Sequence, residues 1–402
     1  MHIEAAAPDR GGRFALNNLV GINWTLSSFH GWGILGVNLA LGLLRAGRLA
    51  VPLHKTSLSL TDEDWQRIKP ALGAGDEIRS LMGEGGRFAV GFPVIQPVGN
   101  ALRWDERVEG SPQLGITFFE NTYLDGDAVA RGKSLQRLIT GCRWADNLLK
   151  DRGFTNTAVC YQGIDPRLYF PKDVPRTRFP DRFVVFSGGK LEFRKGQDIA
   201  LEGFRRFQAR HPDALLLTAW QNPWPESALT ILHGRYANAE PKTGSAAPLD
   251  IEGWVQAHGL PAEAHCEIGF VAHGLLPDLM RQADAALFAS RAESGTNLMA
   301  MEALALGLPT LLSANTGHLD LIDALPCLAL CAQTPVVPRL ENDGVEGWGE
   351  SDPDEIAARL EEICDRREEM RAMGLRAAGK MQDWSWEKQM DQMIEALGLG
   401  AP

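Results

Sequence analysis

Two carboxylates, Glu293 and Glu302, flank a Ser-Gly-Thr-Asn turn in the segment SRAESGTNLMAMEALALGLP, residues 290–309. A helical pattern follows the turn, which places Glu293 before a helix and Glu302 inside it. The free backbone N–H groups of a helix start attract anions, so this turn is predicted to bind a phosphate. The turn residues concerned are Gly295, Thr296, Asn297 and Leu298. A carboxylate accepts hydrogen bonds from hydroxyl groups. The segment therefore predicts a ligand with a diphosphate centre and a hydroxylated group at each end, as in a nucleotide sugar.

A second candidate loop, SGGKLEFRKG at residues 187–196, follows the strand pattern FVVF. Its cations Lys190 and Lys195 stand five positions apart before a predicted helix, and Gly189 would let the backbone approach a phosphate closely. Positive side chains at this place would neutralise a diphosphate leaving group. A solvated basic loop would explain the segment equally well. The two-carboxylate segment in the same half of the chain favours the binding interpretation.

A third loop, GWGILG, carries Gly31, Gly33 and Gly36 in the spacing of a dinucleotide fingerprint, after a strand and at the start of a helix. The acid that should hold the ribose about 20 positions on is missing, since none occurs before Asp62. A glycine turn that only lets the helix pack stays open as an alternative. We expect Gly31 and Gly33 to face a ligand. The P-loop-like GDAVARGKS, residues 126–134, has five residues between its glycines where four are needed, and is rejected.

The composition limits the class of protein that holds these loops. The chain has 402 residues, of which 45% are hydrophobic and 23% charged, enough for two globular domains. A net charge of -11 argues against nucleic acid as a partner. Six scattered cysteines without a C-x-x-C pair predict buried, reduced thiols rather than a zinc site or disulfides. The start MHIEAAAPDRGGRF has no signal-peptide core, and no run approaches ~18 apolar residues, so a cytoplasmic location is expected.

Strand and helix patterns alternate along the chain, which predicts an α/β fold with parallel sheets. In the first half we predict a strand in LVGINWTL, a helix over 34–46 and a long helix over 134–152. The proline-rich PKDVPRTRFPDR interrupts the pattern, and FVVFSG restarts it. The predicted domains are residues 1–175, residues 176–380, and a final helix in 381–402 that packs back on the first domain. Residues 221–262 are predicted to be a loop-rich insertion.

The second half resembles the nucleotide-sugar-binding domain of the family 4 glycosyltransferases. The family's G-R-x-x-x-x-K-G loop is matched by GKLEFRKG, with Lys190 in place of the arginine. Its E-x7-E segment is matched by Glu293 to Glu302, followed by ALALGLP. Eight residues instead of seven separate the two glutamates, so the turn must bulge by one residue if both are to face the donor. The segments YQGIDPRLYFP, LLPDLMRQADAALFASRAES, NTGH and GWGILG extend the resemblance over about residues 20–325.

This resemblance implies the GT-B fold, two Rossmann-like domains facing each other across a cleft. It implies transfer of a sugar from a nucleotide-diphosphate donor, with retention at the anomeric carbon, no required metal and no cofactor. Lys190 and Lys195 would stabilise the leaving diphosphate, while Glu302 would hold the ribose and Glu293 the transferred sugar. In the first domain, the family's polar residue at a strand end corresponds to Glu120 in GITFFENT. Glu120 would contact the sugar or acceptor, with a helix cap or salt-bridge partner as the alternative.

Several points stay open at the level of sequence. His30 and the pair His54 and Lys55 are further candidates for the acceptor side, although a solvated turn would also explain the latter. The acceptor, whether a glycan, a lipid-linked sugar, a protein or a small molecule, is not specified, and peripheral contact with a membrane is left open. The alternatives in function are a nicotinamide-dependent oxidoreductase and a non-catalytic sugar-nucleotide-binding protein.

Overall fold

A computed structural model of the chain describes residues 18–82, 86–242 and 249–400. The start MHIEAAAPDRGGRF and residues 243–248 of the predicted insertion lie outside the described residues. The chain forms two compact units. The first comprises Met1–Gly163, Leu340–Gly344 and Trp386–Pro402, and the second comprises Ile164–Arg339 and Val345–Ser385.

The first unit is built on a six-stranded sheet in which every neighbouring pair is parallel. Its strands, with two short ones that pair apart from the sheet, are β1 (Leu19–Ile22), β2 (Leu49–Pro52), β3 (Phe88–Ala89), β4 (Val94–Val98), β5 (Val108–Glu109), β6 (Gln113–Thr117), β7 (Arg137–Thr140) and β8 (Thr157–Val159). Its first helices are α1 (Gly31–Arg45), α2 (Asp62–Met82), α3 (Gly126–Ser134) and α4 (Arg143–Asp151). The strand order is β2-β1-β4-β6-β7-β8, and β3 pairs with β5.

The start of α1 explains the GWGILG motif in terms of packing. The ring of His30 caps the helix, because its Nδ1 atom accepts the Gly33 N–H at 3.0 Å. A Cβ atom on Gly33 would lie 2.4 Å from the Cβ of Ser27, so no larger residue fits there. The motif thus lets α1 begin close against the chain that follows β1.

One prediction for the first unit is wrong, and one helix was missed. The helix predicted over 134–152 is interrupted by β7, whose residues Leu138, Ile139 and Thr140 are buried between neighbouring strands. Pairing on both edges of β7 outweighs the local helical pattern. The helix α2 was not predicted because Pro70 and two glycines within it are residues that usually end helices.

The second unit has a six-stranded parallel sheet of the same kind, in the order β11-β10-β9-β12-β13-β14. Its strands, with a two-stranded antiparallel pair at the end, are β9 (Phe183–Gly188), β10 (Ala214–Ala219), β11 (His265–Glu267), β12 (Ala285–Phe288), β13 (Thr310–Ser313), β14 (Leu328–Leu330), β15 (Gln333–Pro335) and β16 (Gly349–Ser351). Its helices are α5 (Gln197–Gln208), α6 (Pro225–Ala228), α7 (Ile251–Ala257), α8 (Leu276–Met280), α9 (Leu298–Ala305), α10 (His318–Ala324), α11 (Pro353–Asp365) and α12 (Arg367–Met381).

The division between the units falls at residue 163, earlier than the 175 expected from the proline-rich segment. The Ile164 N–H donates to the Trp384 carbonyl at 2.9 Å, and the buried Tyr169 ring packs into the second core. Residues 164–175 therefore fold with the second unit. The last helix, α13 (Trp386–Ala396), belongs to the first unit, where Arg45 of α1 donates to Asp391 at 2.6 Å.

The α/β class with a parallel sheet in each half is confirmed. The cysteines differ from expectation, because only Cys142 and Cys160 are buried and Cys331 is exposed. Among the helices of the described residues, none combines the length and apolar character needed to span a bilayer.

Candidate functional site

The loops that follow β9, β12 and β13 meet at the carboxyl edge of the second sheet. The loop after β9 supplies Lys195, the loop after β12 supplies Glu293, and the loop after β13 supplies Gly317, whose N–H donates to the Glu293 carbonyl at 2.9 Å. Ligands of open parallel sheets bind outside the carboxyl ends of the strands. This edge is therefore the candidate site in the second unit.

The Glu293 side chain is the centre of this cluster. Its carboxylate accepts hydrogen bonds from Lys195 Nζ at 2.8 Å on both oxygens and from an Arg194 guanidinium nitrogen at 3.0 Å. Ser290 Oγ and Asn297 Nδ2 donate to it at 2.7 and 2.9 Å. We call these five residues the Glu293 cluster. A buried carboxylate with this many donors is held in one orientation.

The charges of the Glu293 cluster stabilise one another. Burial alone would raise the pKa of Glu293, but the Lys195 and Arg194 cations lower it to about 2. Burial lowers the pKa of Lys195, and the Glu293 carboxylate opposes that effect. Arg194 also donates to Glu192 at 2.6 Å, which links the loop after β9 internally. Glu293 is therefore ionised across the physiological pH range.

A second buried ion pair fixes the two loops to each other. The fully buried Arg291 donates two hydrogen bonds to Asp198, in the first turn of α5, each 2.8 Å long. It also donates to the Phe193 carbonyl at 2.6 Å and lies over the Phe193 ring, 4.1 Å from its centroid. Bidentate arginine–carboxylate pairs constrain geometry strongly. This pair holds the loop after β12 against the loop after β9.

Asn297 lies in the turn between the two glutamates and has an unusual backbone conformation. Its backbone has a φ of 63°, in the left-handed region that asparagine tolerates better than most residues. Its side-chain oxygen caps α9 by accepting the Ala300 N–H at 3.4 Å, while its amide nitrogen donates to Glu293. Asn297 thus has two roles: it caps α9 and it orients the Glu293 side chain.

The start of α9 offers backbone donors. Thr296 and Asn297 are buried and Leu298 is half-buried, with the buried Gly295 just before them. Within the described residues, the N–H groups of Thr296, Asn297 and Leu298 have no hydrogen-bond acceptor. Buried N–H groups without an acceptor are rare. The position and charge of these groups suit an anion.

His318 lies beneath the Glu293 cluster and is fully buried. Its Nε2 atom is 3.2 Å from the Asn297 amide nitrogen, which orients the ring towards the helix start. Burial lowers the pKa of His318 to about 4, although the Glu293 charge opposes this shift. The ring is therefore neutral and accepts a hydrogen bond from Asn297.

Glu302 is almost completely buried inside α9. One of its oxygens, Oε1, is hydrogen-bonded to the His273 ring, and the nearby Tyr169 hydroxyl donates to the His273 carbonyl at 3.1 Å. Burial would lower the pKa of His273, but the Glu302 charge raises it above its ordinary value. Among the described residues, the other oxygen of Glu302, Oε2, is buried and accepts no well-oriented hydrogen bond, although the Tyr169 hydroxyl lies near this carboxylate. A buried carboxylate oxygen left open in this way is a candidate acceptor for a ligand hydroxyl.

Lys190 is more exposed than Lys195 and has different neighbours. Its Nζ atom lies 3.6 Å from Glu192 and 4.9 Å from the centroid of the Trp224 ring, which is about half exposed. The preceding Gly189 has a φ of 126°, a conformation that favours glycine. The structure therefore places Lys190 at the accessible side of the loop and Lys195 inside it.

The predicted site residues of the first unit lie at the carboxyl ends of its strands. Gly31 and Gly33 begin α1, and the Gly33 N–H is already donated to His30. Glu120 follows β6, and its N–H donates to Asn100 Oδ1 at 2.8 Å. The neighbouring Asn121 holds a loop, since its Oδ1 accepts the Gly344 N–H at 2.8 Å.

Sequence reasoning missed three members of the site. Arg194 stands directly before Lys195 in the loop, so its charge was visible, but its contact with Glu293 was not. His318 closes the motif NTGH, and its burial depends on the fold. His273 lies in a short turn before α8 without any motif to mark it.

Residues 272–393 match the model of a family described as Family 4 Glycosyltransferase in conflict systems. This stretch contains both glutamates of the site and the start of α9. Over this stretch the chain is similar to the family 4 glycosyltransferases. The resemblance expected from the sequence is thereby confirmed.

Among curated proteins, mannosylfructose-phosphate synthase from Agrobacterium fabrum is 29% identical over 181 residues, which are 43% of this chain and 36% of that protein. The chain thus matches about a third of the length of this curated relative.

Two solved structures have the same fold. Sucrose-phosphate synthase from Thermosynechococcus elongatus aligns with a TM-score of 0.61 at 16% identity, covering 94% of this chain and 98% of that one. HepE from Anabaena, in complex with UDP and glucose, aligns with a TM-score of 0.60 at 12% identity, covering 94% and 99%. At such identities the likeness shows the fold alone. The two Rossmann-like α/β domains of the predicted GT-B fold are confirmed.

Proposed function

We propose that the chain is a glycosyltransferase that moves a sugar from a nucleotide-diphosphate donor to an acceptor, with retention at the anomeric carbon and without a metal ion. The reaction is proposed for the cytoplasm. The observation that carries the proposal is the position of the Lys195 and Arg194 cations beside an ionised Glu293 and the open N–H groups of α9.

This arrangement suits the departure of a diphosphate. As the bond to the sugar breaks, negative charge grows on the leaving diphosphate, and donors that already point at it lower the barrier. Three cations, Lys190, Arg194 and Lys195, come from one loop, and the backbone donors of Thr296 to Leu298 come from another. Protein cations in this number perform the charge stabilisation for which other enzymes use a metal ion.

Glu293 is proposed to aim these cations as well as to contact the sugar. Its oxygens already accept five hydrogen bonds from Lys195, Arg194, Ser290 and Asn297. A hydroxyl of the transferred sugar therefore has to replace one of these donors. Lys195 is the donor proposed to leave Glu293, because the phosphate of the bound donor attracts its charge.

Glu302 is proposed to hold the ribose of the donor. Its Oε2 atom is buried, so a neighbouring group has to move before a ribose hydroxyl reaches it. The atom then accepts the hydroxyl hydrogen without losing a well-oriented hydrogen bond. His273 fixes the other oxygen and so sets the direction in which Oε2 points. In the first unit, Glu120 remains the proposed contact to the sugar or acceptor.

The two alternative functions differ in what they require. A nicotinamide-binding GWGILG loop would present its amide groups to a pyrophosphate, whereas the Gly33 N–H is donated to His30 and Gly33 packs on Ser27. A non-catalytic binding protein would keep the Glu293 cluster and lack turnover. The experiment below separates these functions.

The test is a binding screen in which thermal unfolding of the intact chain is measured with one nucleotide sugar at a time, beginning with UDP-glucose. A donor that stabilises the chain is then assayed for release of its nucleoside diphosphate, with and without EDTA. We expect release in both conditions and no stabilisation by NADH. Stabilisation by a nucleotide sugar without any release would identify a binding protein, and stabilisation by NADH alone would overturn the proposal.

A further inference from the structure

The first unit contains a second candidate binding site, beside β2. A cavity of about 250 Å³ lies beside the carboxyl end of β2. It is smaller than the roughly 300–1,000 Å³ of sites for drug-sized ligands, so it suits a small molecule. Its polar lining consists of His54, Lys55, Arg79, Asp105 and Arg107.

The lining carries more positive than negative charge. Lys55 is exposed and has no hydrogen-bond or ion-pair partner within the described residues. Arg79 is fixed at the cavity, since it donates to the carbonyls of Pro52 and His54 and pairs with the exposed Asp76. Arg107 pairs with Asp105 but keeps 64% of its side chain exposed. Lys55 and the outer face of Arg107 are therefore available to an anion.

His54 adds a neutral group with a defined proton position. The buried Asn23 donates its amide hydrogens to Gln96 Oε1 at 2.7 Å and to the Asp105 carbonyl at 3.3 Å, which leaves its Oδ1 as an acceptor. His54 Nε2 lies 3.1 Å from that oxygen and so carries the proton. Its Nδ1 atom remains as an acceptor for a hydroxyl.

Two buried side-chain amides next to the cavity hold its polar groups in defined orientations. Asn23 and Gln96 are both almost fully buried, and Gln96 Nε2 donates to the Val108 carbonyl at 2.9 Å. Buried amides cost stability unless they are hydrogen-bonded. Here each amide oxygen and nitrogen has a hydrogen-bond partner, and the Asn23 oxygen orients the His54 ring at the cavity.

We propose that this cavity binds the acceptor, as a small hydroxylated anion such as a sugar phosphate or a sugar acid. Lys55 and Arg107 attract the anionic group, while His54 Nδ1 and the Asp105 carboxylate accept its hydroxyl hydrogens. The cavity lies where ligands of parallel sheets bind. Its designation as the acceptor site depends on the proposed transferase function, whereas the binding of an anion does not.

Calorimetric titration of the intact chain tests this proposal. The probes are glucose 6-phosphate, glucuronate and uncharged glucose, and the variants are Lys55→Ala and Arg107→Ala. The matched control is Arg137→Ala, an exposed arginine at the amino end of β7. We expect at least one anion to bind, glucose to bind at least about tenfold more weakly, and each cavity variant to lose at least about tenfold in affinity. The control variant keeps the affinity of the parent chain, and the tighter of the two anions tells phosphate from carboxylate.

Two results would overturn the cavity assignment: no saturable binding of either anion, or equal affinities in Lys55→Ala and Arg137→Ala. The outcome is separable from that of the proposed function. Nucleotide-sugar turnover without anion binding that depends on Lys55 removes only the cavity assignment. Anion binding that depends on Lys55 without any turnover removes the transferase function and leaves an anion site.

Discussion

The Nζ atom of Lys195 lies 2.8 Å from both carboxylate oxygens of Glu293, which joins the loop after β9 to the loop after β12 by a buried ion pair. Arg194 contacts the same carboxylate, so two cations share one anion. Removing one partner therefore has a different effect from removing the other. Without Lys195, Arg194 still neutralises Glu293, whereas without the Glu293 charge two buried cations lie close together.

Glu293→Gln should therefore destabilise the chain more than Lys195→Met. Breaking a buried ion pair by removing one partner costs about 3–5 kcal/mol, and the Gln variant also leaves Lys195 and Arg194 repelling each other. The Met variant keeps the Arg194–Glu293 contact and should cost less. Midpoints of thermal unfolding, followed by circular dichroism at neutral pH, measure the order. A lower midpoint for Lys195→Met than for Glu293→Gln would contradict this account of the cluster.

Asn297 should be harder to replace by alanine than by glycine. Both changes remove the helix cap and the contact to Glu293, but only alanine has to adopt the left-handed φ of 63° with a Cβ atom, at about 1–2 kcal/mol. Asn297→Gly should therefore unfold at a higher temperature than Asn297→Ala. Equal midpoints, or the reverse order, would mean that the turn relaxes to another conformation in the variants.

Trp224 should act on the reaction through Lys190. The Lys190 Nζ atom lies 4.9 Å from the Trp224 ring centroid, and an exposed cation–π contact of this kind contributes about 0.5–1 kcal/mol. Trp224→Ala should raise the donor KM about two- to fivefold with little change in kcat, and Trp224→Phe should have a smaller effect. Steady-state kinetics with varied donor concentration measure both.

The controls for Trp224 use the same chain. Trp65→Ala removes another exposed tryptophan, on α2, and should leave the KM unchanged. In a Lys190→Ala background, Trp224→Ala should add nothing. An additive loss in the double variant would show that Trp224 acts independently of Lys190.

Glu267 should make stability depend on pH between about 5 and 8. This carboxyl lies at the end of β11, where it accepts the Trp220 and Gly269 N–H groups at 3.2 and 3.1 Å. Burial raises the pKa of Glu267 to about 7, although hydrogen bonds, led by the one from Thr218, oppose the shift. Its protonated form is therefore favoured by folding.

The sign of the Glu267 effect follows from linkage. A raised carboxyl pKa gives stability that is complete below the unfolded value of about 4.5 and is lost as pH rises through about 7. The free energy of unfolding of the parent chain should therefore fall from pH 5 to pH 8 relative to that of Glu267→Gln, by an amount on the order of 3 kcal/mol, and the thermal midpoint should fall with it. Parallel curves for the two proteins would contradict the raised pKa.

The sequence predicted the architecture better than the individual contacts. Alternating patterns and the spacing of Glu293 and Glu302 were enough for the α/β class and the relationship to a known family. These patterns could not predict β7, because its strand conformation depends on pairing with β6 and β8. Nor could they give the boundary at residue 163, since the hydrogen bond from Ile164 to Trp384 joins residues far apart in the chain.

Within the site, motif reasoning identified charged residues but not their partners. The extra residue between the glutamates predicts a bulge in the turn, and the residue with a positive φ in that turn is Asn297. The same reasoning treated Lys195 as open to a phosphate, whereas the fold pairs it with Glu293. Motif reasoning could not identify His273 either, because its contact with Glu302 forms only when the turn before α8 packs against α9.

The most direct test of the central claim is the rate at which a nucleotide sugar releases its nucleoside diphosphate. The parent chain should release it, and Lys195→Ala and Glu302→Gln should each lower the rate by more than ~100-fold, the scale of losing one group that stabilises the transition state. Lys172→Ala, which removes an exposed lysine of the second unit, should not lower it. Unchanged rates in Lys195→Ala and Glu302→Gln, or no release by the parent chain with any donor, would contradict the proposed site.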